Sequence, residues 1–194
     1  MRPFVPRLLA PVLLVPVVVL ALLSPSAASA APLEDYAGYQ PQTHCHPKAK
    51  PGTTYLGHWL VQHFGGGFGG ISRPCSSGGT SEHKEGRAFD WTLDASSKAD
   101  RKKAKAFLDW AFADDEAGNH DVKARRMGIM YVIWNDHMYP AWHEFEREAY
   151  LSSSCKSRKK CSKVLRHRTH LHVSLTRKAA KGGTSWYAGK VDQD

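Results

Sequence analysis

Apolar residues recur at helical spacing in two segments of the chain. Residues 52–64 place Tyr55 and Trp59 about one turn apart, which predicts a first helix of about three turns. Residues 98–112 carry alanine and aromatic side chains on one face and charged side chains on the other, so a second helix is predicted there. The glycines of residues 65–70 lack the preceding strand and the following helix of a dinucleotide-binding fingerprint, and we predict a flexible loop.

Three further segments have the composition or the alternation of β-strands. Residues 88–93 and 169–175 alternate, which is typical of strands with two different faces. Residues 128–134 are almost continuously apolar, which predicts the central strand of a sheet, with Tyr131 and Trp134 in the core. Together these segments predict an α+β fold in which a small antiparallel sheet is flanked by two or three helices.

Two of these strands direct chemically active side chains to one face. Asp90 lies on the face of its strand opposite the neighbouring aromatic residues. In the later strand His170, His172 and Ser174 share one face, and the apolar residues between them share the other. The chain therefore presents two imidazoles on one strand and a carboxylate on another.

The first thirty residues have the pattern of a secretory signal peptide. Arg2 and Arg7 precede an apolar run over residues 8–23, and small residues follow at positions 28–30. The run is short of the roughly 20 residues that a membrane-spanning helix needs, so we expect no stable membrane insertion, although a retained anchor is the alternative. We predict a signal peptide over residues 1–30, an extended arm over residues 31–51 and one compact domain over residues 52–194.

The exported part of the chain is basic. The formal net charge of +9 falls to +7 when residues 1–30 are removed, because two arginines leave and no acid does. The densest basic run is residues 156–160. Outside a cell such a charge suits anionic polymers of the wall or a membrane surface, and a solvated face is the plainer alternative. Nucleic acid is the usual rival partner, but export makes us expect none.

The cysteines form an even set, which in an exported chain predicts two disulfides with three possible connectivities. We favour Cys45 with Cys75, which ties the arm to the segment before His83, and Cys155 with Cys161, which closes a short basic loop. Metal binding by Cys45 and its flanking histidines is the alternative, but oxidation would consume the thiolate that a metal needs.

Two separated clusters offer ligands for a hydrolytic metal. His83 and Asp90 are seven residues apart with Gly86 between them, so the chain can turn and bring both side chains to one point. His172 arrives from a separate strand. Zinc accepts imidazole nitrogen and carboxylate oxygen, and three such ligands leave a fourth tetrahedral position for water. His170 is then free for proton transfer near neutral pH.

The same residues carry a resemblance to a known family. The motifs are Ser81-x-His83-x-x-Gly86-x-Ala88-x-Asp90 and, near the end of the domain, His170-x-His172. In these motifs the chain resembles the zinc peptidases related to D-alanyl-D-alanine carboxypeptidases, which share a fold with the hedgehog signalling domain. Residues 87–91 and 127–135 also look like those of exported actinobacterial proteins that carry this domain. The resemblance implies a hedgehog/DD-peptidase-like fold and a zinc peptidase-like domain over residues 52–194.

The resemblance also implies roles for individual residues. His83, Asp90 and His172 are expected to bind Zn²⁺, and His170 is expected to be the catalytic base or to stabilise the transition state. His167 is similar in placement to an accessory histidine of some wall endopeptidases. We expect it to contact the substrate, and we expect the same of Arg87. Ser81 is expected to orient a ligand or to contact the substrate.

The chain departs from the family at one position. Many carboxypeptidase members carry a glutamate a few residues before the last histidine ligand, whereas this chain has Val164, Leu165, Arg166 and Thr169 in that region. Either His170 replaces the missing base or the site binds zinc without turnover. Glu82 and Glu85 are near His83 in sequence, and we expect both to point elsewhere.

These observations predict a secreted, wall-associated zinc peptidase that hydrolyses the stem or cross-link peptides of peptidoglycan. Its expected partners are peptidoglycan peptides and, through its basic surface, anionic wall polymers. Two alternatives stay open: a non-catalytic wall-binding module that zinc stabilises, and a secreted basic nuclease.

Overall fold

The structure, a computed structural model, describes Met1 and residues 31–192. The predicted signal peptide falls almost wholly outside the described residues. Four α-helices and six strands follow one another along the described chain. The helices are α1 (Pro51–Phe64), α2 (Lys98–Ala111), α3 (Val122–Met127) and α4 (Arg177–Ala180). The strands are β1 (Gly67–Gly70), β2 (Ala88–Thr92), β3 (Ile129–Trp134), β4 (His137–Pro140), β5 (Glu148–Ala149) and β6 (His170–Leu175).

The six strands form one antiparallel sheet in the order β1-β2-β6-β3-β4-β5. The two middle positions belong to β6 and β3, so the prediction of a central strand near residues 128–134 is confirmed. The predicted α+β class with an antiparallel sheet is confirmed as well.

One face of the sheet is covered by helices and forms the main core. Leu56 and Leu60 of α1 and Phe107 of α2 belong to the same buried cluster as Phe89 of β2 and Val173 of β6. The helix α2 begins where its pattern predicts, because the Ser97 hydroxyl accepts a hydrogen bond from the backbone N–H of residue 100. Since side chains alternate along a strand, the residues between these core positions lie on the other face of the sheet.

The glycine-rich segment after α1 is an edge strand, so our prediction of a flexible loop was wrong. β1 pairs with β2 and places Phe68 opposite Trp91. A Cβ atom on Gly69 would lie 2.5 Å from the carbonyl oxygen of Asp90, so the backbones approach closely because this residue is glycine. The indole N–H of Trp91 also donates to the carbonyl of Gly65 at 2.8 Å.

The arm over residues 31–50 has no helix or strand and packs on the 3₁₀ turn Glu82–Glu85. The backbone N–H of His46 donates to the carbonyl of Lys84 at 2.7 Å, and that of Lys50 donates to Gly86 at 3.2 Å. Gly86 has a φ of 67°, and a Cβ atom there would lie 2.0 Å from the carbonyl oxygen of Lys48. Glycine is therefore required both by the turn and by the arm above it.

Both disulfides have the pairing that we favoured. Cys45 and Cys75 join the arm to the segment before the 3₁₀ turn with 5.9 Å between their Cα atoms, and Cys155 joins Cys161 with 5.4 Å. Cys45 is therefore not a metal ligand. None of the helices in the described part of the chain is long and apolar enough to cross a bilayer.

Candidate metal centre

Three side chains converge on the open face of the sheet. Oδ1 of Asp90 lies 3.1 Å from Nε2 of His83 and 3.0 Å from Nδ1 of His172. The two imidazole nitrogens lie 3.2 Å from each other. This is a group of histidine and carboxylate side chains, within the described residues, whose ligand atoms are close enough to share one metal ion.

The sheet register produces this convergence. Asp90 of β2 and His172 of β6 are direct partners across adjacent antiparallel strands. Directly opposite side chains project from the same face of a sheet with their Cβ atoms about 5 Å apart. His83 reaches the same point from the 3₁₀ turn Glu82–Glu85, which the left-handed Gly86 connects to β2.

Each imidazole is oriented by a hydrogen bond from its other nitrogen. Nδ1 of His83 lies 2.7 Å from the carbonyl oxygen of Ile71, and a carbonyl only accepts, so Nδ1 carries the proton and Nε2 is free. Nε2 of His172 lies 2.8 Å from Oγ of Ser174 and leaves Nδ1 facing Asp90. Metal-binding histidines are held in this way, by a donor bond from the nitrogen that does not bind the metal. The donor set therefore fits Zn²⁺.

A buried polar network packs against the His172 ring. The ring of Tyr131 on β3 stacks on the His172 ring with 5.6 Å between centroids. Its hydroxyl donates to Oε2 of Glu82 at 2.6 Å. Burial and then the negative charge of Glu82 raise the pKa of Tyr131 well above its usual value. Tyr131 therefore keeps its proton and connects the wall of the site to Glu82.

Arg87 lies in this network and not in the cleft, which corrects its expected role as a substrate contact. Its side chain is buried, with Nε 2.5 Å from Oε2 of Glu85 and Nη2 3.6 Å from Oε1 of Glu82. Arg177 adds a second cation 3.2 Å from Glu85. Burial acts to raise the pKa of Glu85, but hydrogen bonds from the Thr43 backbone and from Arg87 outweigh it and lower the pKa to about 2. We therefore assign Arg87 a structural role.

Electrostatics keep Asp90 ionised. Burial acts to raise the pKa of Asp90, but the hydrogen bonds to His172 and His83 hold it well below its usual range. Burial is also the main effect on the other two histidines near this carboxylate. It lowers the pKa of His170, whose Nε2 lies 3.7 Å from Oδ1 of Asp90, and it lowers that of His167 to about 2. Both imidazoles are therefore mainly neutral at pH 7.

Two of the convergent side chains, Asp90 and His172, line a cleft of about 380 Å³. Of the remaining predicted site residues, His170, His167 and Ser81 all line it. The His167 ring lies 4.8 Å from that of His170 and 5.5 Å from that of His172, measured between centroids. The backbone N–H of Ser81 donates to Oε1 of Gln42 at 2.7 Å, so the arm also fixes this edge of the cleft. Arg73 lies at the rim.

Sequence reasoning missed two residues of the cleft wall. Glu82 was expected to point elsewhere but lines the cleft. Tyr131 is buried in the core, as expected, and also lines the cleft. The alternation around Ser174 did signal a residue that touches the site, since it placed this serine on the face of His172. Nothing in the spacing of Glu82 indicates that its carboxylate turns toward a tyrosine far along the chain.

A larger groove lies elsewhere on the molecule. It measures about 550 Å³ and lies between α2 and the β3–β4 hairpin. Its charged lining is mainly cationic, with Arg101, Lys105 and Arg147, and its one carboxylate, Asp109, lies 2.6 Å from Nζ of Lys105. Because it brings no set of metal ligands together, we place the candidate site in the smaller cleft.

Comparison with known proteins identifies one family. A family model described as "VldE, C-terminal domain" matches residues 45–156, more than half of the chain. The matched region includes His83 and Asp90 and ends before His172. No curated protein and no solved structure matches the chain.

Proposed function

The chain belongs to the VldE C-terminal domain family, and we propose that it is a secreted zinc-dependent peptidase that cleaves stem or cross-link peptides of peptidoglycan. The observation that carries this proposal is the convergence of His83, Asp90 and His172, of which Asp90 and His172 line an open cleft. We further propose that the α+β fold is of the hedgehog/DD-peptidase type, because the two motifs of that family supply these three residues.

The donor set supports zinc over other metals. Two imidazole nitrogens and one carboxylate oxygen, without thiolate, match the ligands of hydrolytic zinc sites. Such a metal supplies Lewis-acid polarisation of a scissile carbonyl and activation of water near neutral pH. Asp90 contributes the negative charge, the Ile71 carbonyl holds His83 in the binding tautomer, and the Ser174 hydroxyl can accept a hydrogen bond from Nε2 of His172.

His170 is placed to move protons beside the ligands. Its Nε2 lies 3.7 Å from Oδ1 of Asp90, and its side chain is 15% exposed, so it is reachable from the cleft. Its lowered pKa makes it a neutral imidazole that can accept a proton from water and return it to a leaving amine. It therefore takes the role of the glutamate that this chain lacks.

The walls of the cleft suit an extended peptide. Serines 152–154 and the glycines Gly78 and Gly79 are among the residues that line the cleft. Val164 and Leu165 add an exposed apolar edge. A peptide lying in the cleft would meet hydrogen-bonding groups along its backbone and an apolar edge for a side chain.

The surface charge supports a second class of partner, the anionic polymers of the wall. Residues 149–191 contain no aspartate or glutamate. Within the described residues, Lys156, Arg158, Lys159 and Lys160 have no carboxylate within ion-pair distance, whereas Arg166 is paired with Asp136. This segment flanks the cleft, so it can hold a polyanion near the site. The two disulfides support a location outside the cell.

The test is a digestion of purified sacculi with zinc-loaded protein, followed by mass spectrometry of the released muropeptides. We expect new peptide termini with the wild type and none with His170→Ala, which should keep its zinc. Intact muropeptides at full zinc occupancy would exclude the peptidase.

The same experiment addresses the alternative of a non-catalytic wall-binding module. That alternative is favoured by Glu82, because both of its oxygens are engaged, by Tyr131 and by Arg87, and it is not a free base. Sedimentation of the protein with sacculi, without new termini, would support this module. Cleavage of added DNA would instead support a nuclease.

A further inference from the structure

A second recess opens beside the metal cleft and is walled by aromatic side chains. It measures about 250 Å³. Its lining consists of Tyr39, Tyr131, Ile133, Met138, Trp142 and Tyr150. Tyr131, Ile133 and Tyr150 also line the metal cleft, so the two spaces share one wall. We name this recess the aromatic cup.

The N-terminal arm completes the cup. The ring of Tyr39 meets the ring of Trp142 edge to face at 5.4 Å between centroids, and Trp142 in turn lies 6.1 Å from Tyr131. The neighbouring residue Gln40 is anchored, because its carbonyl accepts a hydrogen bond from Arg87 and its N–H points at the sulfur of Met130. Tyr39 is 55% exposed, and it is held beside the cup by its contact with Trp142 and by the anchored backbone of Gln40.

The lining defines the chemistry of an occupant. No charged side chain lines the cup, and the carboxylate of Glu82 lies close enough to raise the pKa of Tyr39, second to burial. An anionic group would be repelled. The volume is below the roughly 300–1,000 Å³ of pockets that enclose drug-sized ligands, so one ring fits.

Two donors of the cup are available to a ligand. Among the described residues, neither the hydroxyl of Tyr39 nor the indole N–H of Trp142 has a hydrogen-bond partner. An aliphatic side chain would leave both donors unpaired, whereas a sugar ring offers an apolar C–H face for the aromatic walls and hydroxyl or amide groups for the donors.

We propose that the aromatic cup binds an uncharged N-acetylated pyranose ring, and that it holds the glycan strand while the attached peptide lies in the metal cleft. The assignment of the sugar to a wall glycan rests on the proposed function. The existence of a sugar site does not, because it depends only on the lining of the cup.

The test is calorimetric titration of the full chain with a β-1,4-linked tetramer of N-acetylglucosamine. We expect saturable binding that Tyr39→Ala and Trp142→Phe each weaken, by roughly tenfold for the alanine variant. Phe68→Ala, which removes another exposed aromatic ring away from the cup, should bind as the wild type does. Zinc content should be unchanged in all three variants.

Tyr39 is exposed and has no protein hydrogen bond to lose, so its alanine variant should fold, and near-ultraviolet circular dichroism checks this. Absence of tetramer binding by the wild type would overturn the proposal, as would equal binding by Tyr39→Ala. Competition by a neutral leucine dipeptide as strong as that by the sugar would overturn it too, because the occupant would then be a peptide side chain.

Failure of this inference and failure of the proposed function give different results. Sugar binding without any cleavage of muropeptides would contradict the proposed peptidase function and support the sugar site. The opposite result is cleavage of muropeptides with an equal KM for glycan-bearing and glycan-free substrates, in wild type and Tyr39→Ala alike. It would contradict the sugar site and support the peptidase function.

Discussion

Asp90 and His172 are cross-strand partners on β2 and β6, and their side chains meet with 3.0 Å between Oδ1 and Nδ1. A register shift of one residue would turn either side chain into the core. The geometry of the candidate metal centre is thus fixed by the same backbone pairing that holds the middle of the sheet together. Changes to the ligands should therefore affect metal binding more than they affect the fold.

We expect the protein to bind one zinc ion per chain. We expect His172→Ala to weaken that binding by roughly 100-fold or more, because one of the three metal ligands is lost. Equilibrium dialysis with elemental analysis measures the effect. His44→Ala is the matched control, since His44 is exposed and belongs to the alternative site around Cys45. A loss of zinc in the control would contradict the assignment.

Ser174→Ala tests the support of His172. The substitution removes the acceptor of the 2.8 Å contact with Nε2 and leaves that nitrogen buried without its partner. Loss of such an outer partner typically costs 10- to 100-fold in metal affinity, so we expect a decrease of roughly that size. Ser154→Ala, at an exposed position of the cleft, should bind zinc normally. Equal affinities in the two variants would show that Ser174 does not orient the imidazole.

His170→Ala should separate catalysis from metal binding. Because His170 is placed to move protons and is not one of the three convergent ligands, we expect kcat to fall by roughly 10²- to 10⁴-fold while zinc content stays at the wild-type value. Steady-state kinetics on a muropeptide and elemental analysis of the same sample provide the two measurements. Retention of full activity would remove His170 from the reaction.

The two disulfides should differ in their contribution to stability. Cys45–Cys75 closes a loop of 30 residues and Cys155–Cys161 closes one of 6. The chain-entropy relation gives about 3.5 kcal/mol for the long loop and about 2 kcal/mol for the short loop. Urea denaturation of the two double Cys→Ser variants measures the free energy of unfolding. The opposite order would show that contacts of the short basic loop, and not chain entropy, dominate.

Asp136 should make stability depend on pH in the acid range. Two hydrogen bonds from Arg166, of 2.7 and 2.8 Å, lower the pKa of Asp136 below its usual value. A lowered pKa in the folded state means that the ion pair stabilises the fold above the unfolded pKa of about 3.9, and that this contribution is lost as the pH falls through the folded value.

Asp136→Asn should therefore reduce the free energy of unfolding near neutral pH, and the difference from the wild type should shrink as the pH falls below about 4. Urea denaturation at a series of pH values measures this. Asparagine tolerates the left-handed backbone at this position, where φ is 67°. Asp109→Asn, at an exposed ion pair, is the control and should change little at any pH.

The sequence allowed the ligand-bearing strands to be predicted because their patterns are local. The alternation around His172 and the apolar run that ends at Trp134 each predict a strand from a few neighbouring residues. Asp90 and His172 then share a face of the sheet only if their two strands pair. The pairing itself was not predicted, because the family resemblance implied only that both residues bind one ion. β4 and β5 were not predicted, since they are four and two residues long and carry no periodicity.

Features that depend on distant partners could not be predicted. The edge strand β1 consists mostly of glycine, which has low strand propensity, and it pairs with β2 so closely that a Cβ atom on Gly69 would meet the backbone of Asp90. The turn of Glu82 toward Tyr131 joins residues 49 positions apart. The contribution of Tyr39 to the aromatic cup likewise depends on how the arm folds back over the 3₁₀ turn.

Glu82, Arg87 and Glu85 form a buried cluster of opposite charges, which limits how the chain can evolve. Loss of Arg87 would leave the buried carboxylate of Glu82 without its ion-pair partner, at a cost of several kcal/mol, whereas Glu85 would keep Arg177. Single replacements of Arg87 should therefore be purged by selection. Lineages that lack the arginine are expected to carry a neutral residue in place of Glu82 as well, and these two positions should therefore be inherited together.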